Sequence, residues 1–375
     1  MRLIYALPLG VLIGAVPLTV AASSGSVYEW GKPVATGGPG NVPTLVTSTD
    51  AVQIDAGNYG DVLVRPDGTV WAWGGQQAGS NMTPTQVPGV QHVSQRPVDG
   101  NGSFAAIESP GVDSACPSSS SVIGWSRQKA PIVIPQLNCL NVVQLAKAAT
   151  HTFALTASGQ VYVWGGGNGN YALGLGPSIN EERNPTLNAY VTALTGGTSV
   201  GVEITSGMSG GGILVHGQAY TWGGNQKGQC GCGSSASIVY YPTAVTQGGV
   251  KYAFFDEGGD LSSNGHFLAK DTTGKVWAWG DNENGQLGDG LSGKASNAFT
   301  PVAVAGLPSN IVDLRPGGRH SLALDAAGNV WAWGCDSYGE IGNGTTTASV
   351  TLPVKVLGGA TEISAGALHS LALTA

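Results

Sequence analysis

Short apolar runs recur along the chain in a fixed order, and glycine-rich turns separate them. The clearest unit has a first run at residues 311–314, a second at 320–324, a third that ends in Trp333 and Gly334, and a fourth that begins at Pro353. Large and small or polar residues alternate within these runs, which is typical of strands with two different faces. The unit therefore predicts four consecutive antiparallel strands joined mostly by short turns.

This four-strand unit is repeated seven times. The Trp-Gly pair of the third run occurs at Trp30, Trp73, Trp164, Trp222, Trp279 and Trp333. A seventh, degenerate copy has Ser126 in place of the glycine after Trp125. The repeats predict an all-β chain: a seven-bladed β-propeller of four-stranded antiparallel blades. Each fourth strand is expected to start with a proline and to lie outermost, where no ladder donor is needed. In blade 2, the first strand is expected at residues 90–93.

The two ends of the chain complement each other. The last repeat stops after its second run, and residues 24–31 with 43–46 supply a third and a fourth run. Joining residues 374–375 to residues 24–30 nearly reproduces residues 156–164. The last blade is therefore predicted to be closed by N- and C-terminal strands, which removes the free sheet edges.

Residues 1–22 have the pattern of a secretory signal peptide. Arg2 precedes an apolar run over residues 3–20, and small residues end the segment. Cleavage near Ala22 would leave residues 23–375 as a single propeller domain, exported to the periplasm or the outside. An uncleaved anchor is the alternative, which Pro8 and Pro17 disfavour. No later segment is expected to span a membrane.

Composition narrows the classes of partner. The 375 residues include 60 Gly, and only 10% are charged, with a formal net charge of −7. No basic run is present, so nucleic acid is not an expected partner.

The best copies are residues 318–324 (GRHSLAL), 328–334 (GNVWAWG) and 279–288 (WGDNENGQLG). They resemble the regulator-of-chromosome-condensation repeat, which implies a seven-bladed propeller over nearly all of residues 23–375. Some bacterial members of that family are secreted β-lactamase inhibitors whose rings are closed by joining the two termini. This chain is similar in its closure and in Tyr59, which follows the first strand of blade 1.

Repeated histidines and tryptophans are expected to be structural. His151, His266, His320 and His369 share one repeat position at the start of the second strand. A ring of metal or proton ligands is one interpretation. The preferred one is that each imidazole bonds backbone within its own blade. The tryptophans of the Trp-Gly pairs are expected to pack between adjacent blades.

No catalytic, metal or cofactor motif is recognisable. The stretch from Asp281 to Gly285 resembles a calcium loop, but its glycine is one position early and Ser292 stands where a closing Glu is needed. The prediction is therefore a non-enzymatic protein with no metal and no cofactor. A hydrolase or lyase with Glu257 and Asp260 in the axial funnel is the alternative.

The five cysteines fit an exported protein with an odd thiol. Cys116 and Cys139 are expected in loops on the same face, where a disulfide would hold the degenerate second blade. Cys230 and Cys232 are either a disulfide or, as preferred, two buried thiols. Cys335 is the fifth.

The loops after the first strands and after the third strands are expected to emerge on one face, called here the long-loop face. Irregular loops concentrated on one face of a rigid scaffold favour a partner-binding surface, although simple drift in loop length is the alternative. The candidate contact residues are Tyr59, Arg96, Tyr171, Arg183, Glu257, Asp260, Phe299, Arg319 and Tyr338. The predicted function is an exported monomer that binds an unidentified protein partner, or alternatively an enzyme inhibitor of the β-lactamase-inhibitor type.

Overall fold

The computed structural model describes residues 25–32, 40–58, 60–74, 83–93, 95–99, 103–109, 119–126, 129–166, 169–246, 248–260 and 265–375. The predicted signal peptide, Tyr59 and Cys116 lie outside these residues.

The described residues form seven four-stranded antiparallel sheets. In chain order the first fourteen strands are β1 (Gly25–Gly31), β2 (Thr44–Ala51), β3 (Gln53–Ala56), β4 (Gly60–Val64), β5 (Val70–Gly74), β6 (Thr85–Gln86), β7 (Val98–Asp99), β8 (Ser103–Glu108), β9 (Ser121–Ser126), β10 (Lys129–Val133), β11 (Val142–Lys147), β12 (His151–Thr156), β13 (Val161–Gly166) and β14 (Glu181–Leu187). The others are β15 (Val202–Ser206), β16 (Gly210–Val215), β17 (Gln218–Gly224), β18 (Ile238–Ala244), β19 (Tyr252–Gly259), β20 (Gly265–Asp271), β21 (Val276–Gly280), β22 (Ala298–Ala303), β23 (Ile311–Pro316), β24 (His320–Asp325), β25 (Val330–Gly334), β26 (Val350–Leu357), β27 (Ala360–Ala365) and β28 (His369–Thr374).

Consecutive groups of four strands make the blades. Strands β3–β6 form blade 1, and each following group of four forms the next blade up to β23–β26 in blade 6. Blade 7 has the strand order β2-β1-β28-β27, so both ends of the described chain contribute two strands to it. Gly31 pairs with His369 and Ser26 with Thr374 along this seam. The predicted seven-bladed propeller and its closure are confirmed.

Two details of the predicted strands are wrong. The first strand of blade 2 is at Val98–Asp99, although Val93 forms an isolated bridge to Glu108. Pro97 separates these two segments and cannot donate to the ladder. In blades 2–6 the proline of the fourth strand lies inside that strand, as Pro185 does in β14. An outermost strand tolerates it, because its outer edge has no ladder to complete.

Regular helices are short. The described residues contain one α-helix, α1 (Ala189–Thr192), and short 3-10 turns at Pro135–Leu137 and Lys294–Ser296. None of the described helices is long and apolar enough to cross a membrane.

The tryptophans of the third strands pack between blades, as predicted. Trp30, Trp73, Trp279 and Trp333 are fully buried. The indole nitrogen of Trp279 donates to the carbonyl oxygen of Gln229 in the preceding blade at 3.1 Å. Each tryptophan therefore contributes apolar area and, where its N–H reaches the neighbouring loop, a polar bond across the seam.

The repeated histidines bond the next blade, so the prediction of bonds to backbone in their own blade is wrong. Nε2 of His266 lies 2.8 Å from Oγ of Ser321, and Nε2 of His320 lies 3.0 Å from Oγ of Ser370. Nε2 of His151 lies 3.0 Å from the carbonyl oxygen of Gly210. The side chain at the start of each second strand points away from its own ladder, so the partner it meets belongs to the adjacent sheet.

Candidate functional site

The long-loop face carries a continuous polar strip over blades 4–6. Nζ of Lys227 lies 3.3 Å from Asp281 and 2.8 Å from Glu283. Nε of Arg319 pairs with Oδ2 of Asp260. Hydrogen bonding to Lys227 lowers the pKa of Glu283, so this carboxyl is held in its charged form. These ion pairs join the loops of three successive blades.

The long loops are fixed from within. In blade 4 the side chain of Asn225 accepts a bond from the backbone N–H of Cys230 at 2.9 Å. Asn282 does the same for Leu287 at 3.0 Å, and Asp336 for Ile341 at 3.1 Å. A side chain at the same repeat position thus holds the same turn in each of blades 4, 5 and 6. The residues that these loops expose are therefore held in place before a partner binds.

Apolar side chains stand out from these fixed loops. Tyr338 is 48% exposed and Leu291 is 58% exposed. Nζ of Lys32, from blade 7, lies 5.3 Å from the centre of the Tyr338 ring, within reach of a cation–π contact. The face therefore combines exposed aromatic and aliphatic groups with an ion-paired strip.

The turns after the first strands converge on the axis around a cavity of about 80 Å³. Its charged lining residues are Lys147 and Glu257, and most of the rest is glycine and alanine. Oε2 of Glu257 accepts a bond from the backbone N–H of Gly207 at 3.1 Å. Burial raises the pKa of Glu257 to about 8, with a further contribution from Asp256. Known small-molecule sites occupy about 300–1,000 Å³, so this cavity is small for a substrate.

Deeper along the axis, the first strands contribute a network of charged side chains. Arg96 pairs with Glu362 and lies 3.8 Å from Asp55. Arg315 pairs with Asp313 at 3.2 Å and with Asp256 at 3.4 Å. Arg96, which lies just before β7, therefore joins the first strands of blades 1 and 7, and Arg315 joins those of blades 5 and 6.

A model of the regulator of chromosome condensation (RCC1) repeat matches residues 216–253, 273–324 and 327–373. These segments run from the third strand of blade 4 to the second strand of blade 7. The chain carries RCC1 repeats. The matched residues lie in blades 4–7, and all seven sheets together form the RCC1-repeat propeller.

Relatives with such repeats are larger than this chain. The E3 ubiquitin-protein ligase HERC2 of Homo sapiens is 32% identical over 253 residues, which are 65% of this chain and 5% of HERC2. The mitochondrial RCC1 domain-containing protein RUG3 of Arabidopsis thaliana is 30% identical over 239 residues, 62% of this chain and 51% of RUG3. The chain thus spans about half the length of RUG3 and a small part of HERC2.

A solved propeller has the same fold. Prp20p from Saccharomyces cerevisiae superimposes with a TM-score of 0.75 over 94% of this chain and 92% of its own, at 18% identity. Identity at this level supports the fold of the RCC1-repeat propeller and leaves the site to be argued from its own residues.

The predicted contact residues fall into separate groups. Glu257, Asp260 and Arg319 lie together beside the axial opening of the RCC1-repeat propeller. Tyr338 lies in the long loop of blade 6, and half-buried Tyr171 lies in that of blade 3, where its ring meets Tyr240 edge-on at 4.9 Å.

The other candidates lie outside the loops of the face. Arg183 and Phe299 are exposed on the outermost strands β14 and β22, at the outer edge of their blades. Arg96, expected in a loop of the face, is instead part of the axial network, because the first strand of blade 2 lies further along the chain than predicted. Tyr59 lies outside the described residues.

The axial network was missed by the sequence analysis, although a signal for it exists. In five blades of the RCC1-repeat propeller a polar residue immediately precedes the buried core residue of the first strand. These residues are Gln53, Gln144, Glu203, Asp313 and Glu362. Burial raises the pKa of Glu203 well above its ordinary value, and Asp256 adds to this shift. A polar position repeated beside the core on the innermost strand therefore marks the axis.

The cysteines differ in part from the prediction. Cys230 and Cys232 form a disulfide, so the preferred interpretation of two buried thiols is wrong. Cys335 is buried and free. The pairing of Cys116 with Cys139 stays a prediction, because Cys116 lies outside the described residues.

Proposed function

We propose that this chain is an exported protein-interaction module that binds a protein partner through blades 4–7 of the long-loop face. The observation that carries the proposal is the pair of exposed side chains Tyr338 and Leu291 on loops that internal bonds hold in place. Rigid loops with exposed aromatic groups lose little entropy on binding, which is a common property of protein-binding surfaces.

The ion-paired strip supports the choice of blades 4–7. Lys227 and Arg319 are already bonded to acidic neighbours, so a partner meets a surface of alternating charge. Such a strip gives orientation and specificity to an encounter, and the exposed apolar groups beside it contribute affinity. Prp20p, which has this fold, is a protein whose binding to Gsp1p and histones has been studied. That relationship supports the use of the scaffold for protein binding.

A catalytic role in the axial funnel is the weaker alternative. Glu257 has a raised pKa and faces the axial cavity, as a general acid would. Its carboxylate is nevertheless bonded to the backbone of Gly207, and the cavity holds about 80 Å³. The β-lactamase-inhibitor alternative depends on Tyr59, which lies outside the described residues.

The test compares two double variants of the chain from Ser23 onward as bait for envelope and secreted proteins of the source organism. The test variant combines Tyr338→Ala with Leu291→Ala. The matched control combines Tyr190→Ala with Val200→Ala, whose side chains are 50% and 75% exposed in the connection between blades 3 and 4, on the opposite face.

A partner that the wild type and the control retain, and that the test variant releases, supports the proposal. A partner retained equally by both double variants places the binding surface elsewhere and contradicts it. If no partner is captured by any of the three baits, a screen of substrates for the axial cavity becomes the next experiment.

A further inference from the structure

Three buried side chains with metal-ligating groups meet where blade 7 adjoins blade 1. They are Glu29 on β1, Asp61 on β4 and His369 on β28, and one ligand atom of each lies within 4.8 Å of the other two. Nε2 of His369 is 2.7 Å from Oδ1 of Asp61. All three side chains are at most 1% exposed. Among the residues that the structure describes, no other three such groups come as close.

Both carboxylates depart from the repeat. Asp61 pairs with Trp73 across β4 and β5, and Glu29 directly precedes Trp30. The residues that pair with the corresponding tryptophans in the other blades are Phe104, Thr152, Gly211, Phe267, Ser321 and Ser370. The residues that precede those tryptophans are Ala72, Gly124, Val163, Thr221, Ala278 and Ala332. The two acidic side chains therefore occur together at one seam, at positions that are uncharged in the six other blades.

The histidine at this seam also lacks the arrangement found elsewhere. Ser321 donates its hydroxyl hydrogen to the carbonyl oxygen of Gln286 at 2.8 Å, so the imidazole of His266 must be the donor to Ser321. The same relay of two hydrogen bonds runs from the imidazole of His320 to the hydroxyl of Ser370, and from that hydroxyl to the carbonyl oxygen of Glu340. A carboxylate has no hydrogen to pass on, so Asp61 ends the relay at His369.

The cluster also contains a buried ligand atom that no protein group satisfies. Oδ2 of Asp61 is buried and has no hydrogen-bond partner. A buried carboxylate oxygen without a partner is costly, and a bound cation would remove that cost.

We propose that Glu29, Asp61 and His369 form a binding site for one divalent first-row transition cation, such as Zn²⁺, at the seam that closes the ring. One imidazole nitrogen and two carboxylate oxygens are a ligand set that these ions accept. The sequence analysis missed it because Asp61 and His369 are 308 residues apart and match no local motif.

The position of the site gives the ion a structural role. Glu29 lies on the N-terminal strand of blade 7, His369 lies on its C-terminal strand, and Asp61 lies on blade 1. An ion held by all three joins both ends of the described chain to the neighbouring blade. Since the unfolded chain does not assemble these ligands, binding stabilises the closed ring.

The test measures metal content and thermal unfolding of the whole chain after treatment with a chelator and exposure to Zn²⁺, with Mn²⁺ as a second probe. The wild type is expected to retain one ion per chain after gel filtration and to unfold several degrees higher with the ion than without it. Asp61→Asn and Glu29→Ala are expected to lose both effects. Ala is the residue at the Glu29 position in three other blades, Ala72, Ala278 and Ala332, so this variant decides the question if Asp61→Asn does not fold.

His266→Gln is the matched control, because it removes an equivalent buried imidazole from a seam with serine. It is expected to keep the ion and the thermal shift. The proposal is overturned if the wild type binds neither ion, or if Glu29→Ala still retains one ion per chain with an unchanged shift.

Discussion

The indole nitrogen of Trp333 donates a hydrogen bond to the carbonyl oxygen of Gln286, 2.8 Å away in the long loop of the preceding blade. The hydroxyl of Ser321, also from blade 6, donates to the same oxygen at 2.8 Å. The long loop of blade 5 is therefore part of the seam between blades as well as part of the exposed face. A surface built on such loops has the rigidity of the ring beneath it.

Two glycines of this loop give a matched test of the seam. A Cβ at Gly288 would lie 2.7 Å from Nε1 of Trp333, whereas at Gly290 the nearest atom, from Leu352, would be 3.7 Å away. Both have positive φ (+65° and +88°), so the backbone strain of alanine is common to both. We expect Gly288→Ala to lower the free energy of unfolding by about 1–3 kcal/mol more than Gly290→Ala, the usual cost of overpacking. Denaturant titration measures both, and equal losses would contradict this role of the tryptophan.

Glu257 predicts an unusual pH dependence. Its pKa is raised from 4.5 to about 8, so the folded chain binds this proton more tightly than the unfolded chain does. The contribution of this carboxyl to the free energy of unfolding is fully present below pH 4.5 and declines as the pH rises towards 8. Glu257→Gln keeps a neutral side chain of the same shape. Its free energy of unfolding, relative to that of the wild type, should therefore rise by up to about 1.4 kcal/mol per pH unit between pH 4.5 and 8. Denaturant titrations at pH 5 and pH 8 check this, and a difference independent of pH would contradict it.

The fold was predictable because its signal is local and repeated. Each blade repeats the same apolar runs and turn glycines, and the two chain ends complement each other, so strand order followed without knowledge of any long-range contact. Blade 2 was misplaced where this signal weakens: Val93 is buried like a strand residue, but Pro97 interrupts the ladder. Because the first strand of blade 2 lies further along the chain than predicted, Arg96 lies at the axis and not in the expected loop.

The candidate sites were less predictable because they depend on which blades meet. Asp61 and His369 are neighbours only in the closed ring. Arg315, on the first strand of blade 6, pairs with Asp256 on the first strand of blade 5. A repeat pattern predicts that a position faces the next blade, but the chemistry there depends on two residues from different copies. His266 meets a serine and His369 meets a carboxylate for this reason.

Two arginines predicted for the same surface should behave differently. Arg96 has 21% of its side chain exposed and pairs with Glu362 and Asp55, whereas Arg183 is 90% exposed and pairs only weakly with Glu181 at 3.6 Å. We expect Arg96→Ala to lower the free energy of unfolding by about 2 kcal/mol, because it removes a cationic partner from two partly buried carboxylates. Arg183→Ala should change it by less than about 0.5 kcal/mol. Denaturant titration of both variants tests the assignment of Arg96 to the axis, which similar values would refute.

The buried histidines predict a loss of stability in acid. Burial lowers the pKa of His266 and His320 to about 3 and that of His151 to about 4, so each stays neutral in the folded chain. In the unfolded chain they take up protons below about pH 6.5, and stability is lost as the pH falls from there towards 3. His266→Gln should remove about one proton from the uptake on unfolding at pH 5, which reduces the slope of unfolding free energy against pH by about 1.4 kcal/mol per unit. An unchanged slope would mean that His266 is protonated in the folded state.

Mass spectrometry of the protein recovered after export tests the signal peptide and the cysteine pairing together. Cleavage after Ala22 would give a chain that starts at Ser23, two residues before β1 begins at Gly25. With disulfides at Cys230–Cys232 and at the predicted Cys116–Cys139 pair, four of the five cysteines are bonded, and 5 − 4 leaves one thiol. Alkylation in denaturant should therefore add one group per chain without reductant and five with it. Because Cys335 is buried, that single group should appear slowly in the native protein. Three groups without reductant would show that one of the two pairs is not bonded, and peptides alkylated at Cys116 and Cys139 would contradict their predicted pairing. A chain that retains Met1 would contradict cleavage.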